Sequence, residues 1–107
     1  MRHIEVSETV FLILSSLAPG PRHGYAILQD VESLTEGRVR LSTGTLYGAL
    51  RRLLDDGVIR RFEEPNPSRD RQAYELMPGG RQLLVAEVER MRDLAVLAAR
   101  QLAQGAA

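Results

Sequence analysis

The chain has 107 residues, of which 44% are hydrophobic and 26% charged, with two Phe, three Tyr and no Trp. This length and composition indicate one globular domain and exclude an extensively disordered chain. The formal net charge is zero, so charge alone gives no support to nucleic-acid binding, and the absence of cysteine excludes disulfides and thiolate metal sites.

Positive charge is concentrated in the middle of the chain. Residues 1–37 carry two Arg against five acidic residues, residues 38–81 carry nine against six, and residues 82–107 carry three of each. All fourteen basic residues are Arg, which suits bidentate recognition, although a genomic codon bias produces the same pattern. The longest apolar run, residues 10–14, is too short to span a bilayer, and no signal-peptide pattern is visible, so the sequence predicts a cytoplasmic protein.

The first predicted helix covers residues 5–18. Ser7 is the candidate N-cap, and the Pro-Gly-Pro run at residues 19–21 ends the helix. Its apolar surface is wider than one neighbour requires and consists of Val10, Phe11, Ile13, Leu14 and Leu17. We expect this helix to contact its own domain and a partner chain. The alternative is a plain buried core helix.

A second helix is predicted from Tyr25 to about Leu34, ending at residues 35–37. His23 precedes it and is one of only two histidines, too few for a His-based metal or catalytic cluster. Its expected role is to position the helix entry or to contact a phosphate. Residues 38–41 alternate polar and apolar side chains, which predicts a very short strand.

Residues 41–57 contain the helix that we call the reading helix. Ser42 is its candidate N-cap, and Gly57 is the expected left-handed residue after its end. One side is apolar and consists of Leu46, Ala49, Leu50, Leu53 and Leu54. The opposite side has small residues at the positively polarised N-terminus, followed by Tyr47, Arg51 and Arg52. A helix in a DNA groove has the same requirements, namely backbone close to phosphate and donors that reach base edges.

A β-hairpin is predicted next, with strands at residues 58–63 and 71–77 and a proline-rich turn between them. Two or three helices followed by a hairpin is the order of a winged helix, in which the hairpin tip reaches DNA beside the reading helix. The tip falls at residues 68–71, so Arg69 and Arg71 are candidate DNA contacts. An arginine-bearing loop taken alone is more often simply solvated.

The last predicted helix runs from Pro78 to about Gln104. It carries a heptad seam made of Leu84, Val88, Met91, Ala95, Ala98 and Leu102. At 1.5 Å per residue the helix is roughly 35 to 40 Å long, more than the small preceding domain can cover. We therefore expect a homodimer in which this seam, with Val10, Phe11 and Leu14, forms the interface. The alternative is a monomeric helix folded back on its own domain.

From residue 10 to residue 81 the chain resembles the PadR family of bacterial transcriptional regulators. The resemblance is carried by residues 17–27 (LAPGPRHGYAI), 41–53 (LSTGTLYGALRRL), 57–59 (GVI) and 71–76 (RQAYEL), together with Gly80. The sequence departs from many relatives at Thr43 and Gly48, where proline is common, and at Met77, where a capping threonine is usual.

The resemblance implies a winged helix-turn-helix domain over residues 1–77 and a C-terminal dimerisation helix over residues 78–107, mainly α with a small β-hairpin. It also implies a homodimer on a roughly palindromic operator, released by a small apolar or aromatic effector at the dimer interface. The DNA contacts implied for the reading helix are Ser42, Thr43, Gly44, Thr45 and Tyr47. His23, Gly24 and Tyr25 would brace or contact the DNA backbone, and Tyr74 with Arg71 would belong to the wing.

Three classes of function follow from these observations. The first is a dimeric, sequence-specific DNA-binding repressor that uses the residues named above, with Arg51 and Arg52. The second is a winged-helix module that binds another protein instead of DNA, which the zero net charge favours. An enzyme is the least supported, because no nucleophile–base pair, phosphate-binding glycine loop or metal spacing is visible. No cofactor, metal or membrane partner is expected.

Overall fold

The computed structural model describes residues 5–65 and 72–105. In chain order the elements are α1 (Glu8–Leu17), β1 (Arg22–His23), α2 (Gly24–Leu34), α3 (Thr43–Asp55), β2 (Ile59–Phe62), β3 (Ala73–Leu76) and α4 (Pro78–Gly105). The predicted fold class is confirmed: the protein is mainly α with a small β-hairpin, arranged as a winged helix followed by one long helix. The predicted reading helix is α3.

Side-chain caps define where α1 and α3 begin. The hydroxyl of Ser7 accepts a hydrogen bond from the backbone N–H of Val10 at 3.1 Å, and the hydroxyl of Ser42 accepts one from Thr45 at 3.1 Å. Each cap satisfies an N–H group that has no partner inside its helix. Both predicted N-caps are therefore confirmed.

The C-terminal end of α3 forms a Schellman motif. Gly57 has a φ of +72°, a left-handed conformation that glycine adopts without a Cβ penalty. The N–H of Gly57 donates to the carbonyl of Leu54, and the N–H of Val58 donates to that of Leu53. These bonds satisfy carbonyls left free by the last helical turn and direct the chain into β2.

The segment between α2 and α3 is not a strand, so the strand predicted at residues 38–41 is wrong. Here the N–H of Val39 donates to the hydroxyl of Thr35 at 3.0 Å, which holds the loop against the end of α2. Val39 and Leu41 both pack against the core. Their alternation with arginines therefore reflects side-chain burial in a loop rather than pairing in a sheet.

Within the described residues the sheet has three antiparallel strands in the order β1-β3-β2. The predicted hairpin is confirmed, with Ile59 opposite Leu76 and Phe62 opposite Ala73. The sequence did not predict β1, whose two residues pair with β3 through Arg22 opposite Tyr74 and His23 opposite Ala73. This strand places the start of α2 at the edge of the wing.

One hydrophobic core lies between the helices and the sheet. Its buried members are Ile13, Leu14, Leu17, Ile27, Val31, Leu46, Leu50, Leu53, Val58, Ile59 and Tyr74. Leu14 is completely buried in this core, so the prediction that its side chain contacts a partner chain is wrong. Val10 and Phe11 of the same helix keep partial exposure.

The first turns of α4 are anchored on the domain. A guanidinium N–H of Arg81 donates to the carbonyl of Ala18 at 2.9 Å, and Leu83 and Leu84 pack against the core. From Met91 to Gly105 every residue of the helix is exposed. These 15 positions extend roughly 22 Å at 1.5 Å per residue. The helix therefore has an anchored half and a half that its own chain leaves uncovered.

Candidate nucleic-acid interface

The outward side of α3 lies away from the protein's own core. Tyr47 is 47% exposed, and Arg51 and Arg52 are exposed as well. The residues around the helix start are also exposed, namely Ser42, Thr43, Gly44 and Thr45. The buried leucines of α3 point into the core. The helix thus presents hydroxyls at its N-terminus, then a phenol, then two guanidinium groups.

The first turn of α3 is fixed by its own hydroxyl groups. Besides capping the helix, the hydroxyl of Ser42 donates to the Oγ1 atom of Thr45 at 2.9 Å. The two hydroxyl oxygens share one hydrogen bond, so one of their two hydrogens stays available for another acceptor. The pair therefore both fixes the helix start and offers one donor.

Tyr47 reaches from α3 to the first residue of α2. A Cβ atom placed on Gly24 would lie 2.6 Å from the Tyr47 hydroxyl oxygen, 3.0 Å from Cζ and 3.1 Å from Cε1. The phenol therefore lies directly over the backbone of Gly24, which is buried. Within the described part of the chain the Tyr47 hydroxyl forms no hydrogen bond. It is held in place by contact, and none of the described residues uses its donor or acceptor.

A cavity of about 280 Å³ opens where these two helices meet. It is lined by His23, Gly24, Tyr25, Ala26, Gln29, Tyr47 and Gln72. The N-cap residue of α2 is His23, and its side chain makes no capping hydrogen bond. The N–H of Gly24 donates to the carbonyl of Gln72 at 3.3 Å, but no side chain caps the N–H groups that follow it in the first turn of α2, which leaves a positively polarised helix end beside the cavity.

Two charged contacts hold β1 in place. The Nε atom of Arg22 donates to the carbonyl of Ser16 at 2.7 Å and lies 3.6 Å from Asp30. The Nε2 atom of His23 lies 2.9 Å from a carboxylate oxygen of Glu64, just after β2, an ion pair when the imidazole is protonated. This nitrogen has no well-aligned hydrogen bond within the described residues. His23 thus connects the start of α2 to the wing, in line with the positioning role expected of it.

Tyr74 is part of the core and not of the exposed surface. The resemblance implies that it belongs to the wing and contacts DNA; it lies in β3 of the wing, but its side chain is only 6% exposed, which does not fit a direct contact. Burial raises the pKa of the Tyr74 phenol, and the nearby phenol of Tyr47 raises it further, whereas Arg61 lowers it. Tyr74 therefore supports the region under Tyr47 from the sheet side.

The predicted wing contacts Arg69 and Arg71 lie outside the described residues. In the described part of the wing, Arg60 forms an ion pair with Glu75, its partner across the strands, at 2.5 Å. Arg61, the next residue of β2, is exposed. Arg61 is therefore a cation on the wing that sequence reasoning did not select.

The other side of α3 faces the start of α1 across a second cavity, of about 370 Å³. Its lining is Ser7, Thr9, Val10, Gly44, Thr45, Gly48, Ala49, Arg52 and Leu53. Arg52 is therefore on the α1 side of the reading helix, whereas Tyr47 is on the α2 side. The polar face of α3 is accordingly divided between two grooves.

The predicted dimer seam is divided between the two halves of α4. Leu84 packs against its own core and Val88 is half-buried, so both are already partly covered within one chain. The remaining seam residues are all exposed, namely Met91, Ala95, Ala98 and Leu102. Other apolar side chains on the same half are exposed too, including Leu94 and Leu97.

Sequence reasoning missed Gln29 and Gln72, which line the cavity beside Tyr47. Gln29 follows Tyr25 by four positions, so its place on the same face of α2 was available from helix periodicity. Gln72 comes into this cavity through the pairing of β1 with β3, which depends on a contact distant in sequence. Across residues 5–65 and 72–105 no cluster of three or more His, Asp or Glu could hold a metal ion. No helix in these same ranges is long and apolar enough to cross a membrane.

Two curated relatives have sequences similar to that of the chain. It is 38% identical over 91 residues to an uncharacterised 37.1 kDa protein in transposon TN4556 of Streptomyces fradiae, covering 85% of the chain but 25% of that protein. It is 30% identical over 95 residues to the transcriptional regulator Rv3488 of Mycobacterium tuberculosis, covering 89% of the chain and 86% of that protein. The chain thus spans about a quarter of the first relative and most of the second.

Solved structures share the fold. A transcriptional regulator from Clostridium thermocellum superposes with a TM-score of 0.73 at 24% identity, covering 90% of the chain and 97% of that protein. Bacillus subtilis PadR in complex with operator DNA gives a TM-score of 0.64 at 23% identity, over 73% of the chain and 45% of that protein.

A family profile gives the most direct assignment. The profile of the transcriptional regulator PadR-like family matches residues 13–86, a stretch that includes α2, α3, the wing and the anchored start of α4. The motifs that suggested this family therefore lie inside the matched region. The chain belongs to the PadR-like family of transcriptional regulators.

Proposed function

We propose that this protein is a homodimeric regulator that binds double-stranded operator DNA with α3 in the major groove. The observation that carries the proposal is the exposed side of α3, where Tyr47 and Arg51 point to solvent from a helix whose leucines are buried. A helix of 13 residues is roughly 20 Å long, and its diameter fits the major groove. Hydroxyls at its start and guanidinium groups further along are suitable donors to phosphates and base edges.

The N-terminus of α2 would bind the DNA backbone next to the reading helix. Its first turn lacks a side-chain cap and opens on the cavity beside Tyr47. A phosphate there would accept hydrogen bonds from backbone N–H groups and would be favoured by the helix dipole. His23, Gly24 and Tyr25 fit this role by position, and Arg61 on β2 adds a cation on the wing side.

The dimer would form through the uncovered half of α4. Met91, Ala95, Ala98 and Leu102 continue one seam along a helix face that the chain itself leaves exposed. Pairing of two such helices would bury apolar surface and place two copies of α3 in a two-fold arrangement. Operator half-sites would then lie about one helical turn, or roughly 34 Å, apart. Bacillus subtilis PadR, a protein of the same fold, is in complex with operator DNA in its solved structure, which supports DNA as the partner of this chain.

We expect the protein to act in the cytoplasm as a repressor of transcription. A dimer on an operator near a promoter excludes RNA polymerase from that site. A small apolar or aromatic effector between the subunits would change the separation of the two reading helices and so their fit to the half-sites. The exposed leucines of α4 support an apolar ligand at that interface.

Fluorescence polarisation with labelled duplexes from the region upstream of the chain's own gene tests the proposal. We expect the protein to bind one of these duplexes specifically. Unlabelled copies of that duplex should then displace the labelled one far more effectively than scrambled DNA does. The affinity should fall steeply between about 50 and 200 mM salt, because each phosphate contact releases counterions. Equally weak binding to every duplex, or no binding to any of them, would contradict sequence-specific DNA recognition. Either result would favour the protein-binding alternative.

A further inference from the structure

We propose that Gly24 is a positioning residue for Tyr47: the absence of a side chain at position 24 sets where the Tyr47 phenol lies and thereby the affinity for DNA. This inference rests on the proposed function for its effect on DNA binding. It differs from a direct role of Gly24 at the DNA backbone, because it assigns the effect of Gly24 to the aromatic ring of another helix.

The contact geometry carries the inference. The Tyr47 hydroxyl oxygen would lie 2.6 Å from a Cβ at position 24, closer than side chains tolerate. The same ring would also have Cζ at 3.0 Å and Cε1 at 3.1 Å. The neighbour that would have to move is the far end of a side chain rather than backbone, and Tyr47 is about half exposed. Displacement of the ring is therefore the easiest response to a methyl group at Gly24.

Glycine is not needed at position 24 for backbone reasons. Positive φ angles occur at Gly20, Gly37 and Gly57 but not at Gly24, which lies in the first turn of α2. Alanine is a better helix former than glycine, so the Gly24→Ala backbone is not strained. The space occupied by Tyr47 is the feature that excludes a side chain here.

The position of the phenol matters because no residue in the described part of the chain occupies its hydroxyl. Within the described residues it has no hydrogen-bond partner, and it lies beside the uncapped start of α2 and the exposed face of α3. From there it can donate to a phosphate or a base that contacts both helices. Movement of the ring would take this donor away from the groove that α2 and α3 share.

The test is a double-mutant cycle with Gly24→Ala and Tyr47→Phe, measured by polarisation on the operator duplex. Gly24→Ala alone should weaken binding about tenfold, within the range for loss of one nucleic-acid contact. In the Tyr47→Phe background the ring can still be displaced, but the hydroxyl donor whose position matters for DNA is absent, so the same change should weaken binding less than about twofold. Gly79→Ala, at an open position in the first turn of α4, is the matched control and should not change binding.

Two further measurements make the outcome decisive. Thermal unfolding should show that Gly24→Ala is not less stable than wild type, which separates positioning from loss of fold. NMR of the free protein with labelled tyrosine should show a changed set of contacts from the Tyr47 ring to the first turn of α2. The NMR result decides whether Gly24 positions Tyr47 even if the wild type binds no DNA. A failure of the proposed function can therefore be told apart from a failure of this inference.

Two results would overturn the inference. One is an equal loss of affinity from Gly24→Ala with tyrosine or phenylalanine at position 47, which would mean that the added methyl meets the DNA directly. The other is an unchanged Tyr47 ring in the NMR spectra of Gly24→Ala.

Discussion

Gly80 in the first turn of α4 lies against the carbonyl of Val58 at the start of the wing. A Cβ atom at position 80 would come within 2.2 Å of that oxygen, which already accepts a hydrogen bond from the N–H of Met77 at 3.0 Å. Here the nearby atom is backbone, so it cannot move without displacing the strand. This close approach fixes the direction in which α4 leaves the domain.

Gly80→Ala should therefore lower the free energy of unfolding by about 1–3 kcal/mol, the usual cost of overpacking. Urea unfolding followed by circular dichroism, at fixed protein concentration, measures the change. Gly79→Ala is the neighbouring control: its added methyl meets nothing within 4 Å, so it should be neutral or slightly stabilising. Equal stability of the two variants would contradict the packing of α4 on Val58.

Burial of Tyr74 predicts a loss of stability in alkaline solution. Its pKa is raised from the ordinary value of 10.0, chiefly by burial, so above about pH 10 the unfolded chain loses this proton before the folded chain does. Stability that is fully present below pH 10 should then fall as the pH rises towards the folded-state pKa. The chain contains neither Lys nor Cys, which would otherwise titrate in that range.

Tyr74→Phe keeps the ring and removes the ionisable hydroxyl, so its stability should decline less between about pH 9 and 11 than that of the wild type. Urea unfolding at several pH values gives both curves. Tyr25→Phe, at an exposed position, is the control and should decline as the wild type does. Parallel curves for wild type and Tyr74→Phe would show that Tyr74 is not the group responsible.

The uncovered half of α4 predicts a self-association that charge can break. Ala95→Asp with Ala98→Asp places two carboxylates in the exposed seam, and sedimentation velocity should then show a monomer where the wild type is a dimer. Val88 is a poorer position for this test, because it is half-buried in its own chain. Ala86→Asp, exposed on the opposite side of the helix from Ala95, should leave the dimer intact. A monomeric wild type at micromolar concentration would contradict the proposed dimer.

Features set by local sequence were predicted well. The N-caps Ser7 and Ser42 and the left-handed Gly57 each act within a few residues of their own position, so their hydrogen bonds follow from spacing alone. The outward direction of Tyr47 and Arg51 followed in the same way from the period of the leucines in α3.

Features that depend on contacts between residues distant in sequence were missed or predicted wrongly. The two-residue strand β1 exists because β3 lies beside it, and no local pattern marks it. Tyr74, which the resemblance assigns to the wing, lies in the core with residues of the helices, and its role there depends on how the sheet packs on those helices. Tyr47 and Gly24 are 23 positions apart in sequence and lie on different helices, so only the folded arrangement reveals their contact.

The boundary between the two predicted domains shows the same limit. The heptad seam was assigned to a separate dimerisation helix from residue 78 onward. In the fold Leu83, Leu84 and Gly80 belong to the packing of the winged domain, and the exposed half begins only at Met91. Heptad spacing identifies an apolar face but does not say whether its partner is the same chain or another. The division into residues 1–77 and 78–107 therefore stays a prediction.

The central claim is that the exposed side of α3 reads DNA, and the affinity of Arg51→Ala for the operator duplex tests it most directly. Arg100→Ala, exposed on α4, is the control, because it removes the same charge far from α3. We predict that Arg51→Ala weakens binding by about 1–3 kcal/mol at fixed salt, with the dimer intact, and that Arg100→Ala binds as the wild type does. Equal affinities for wild type and Arg51→Ala, or equal losses in the two variants, would contradict the assignment of α3 as the reading helix.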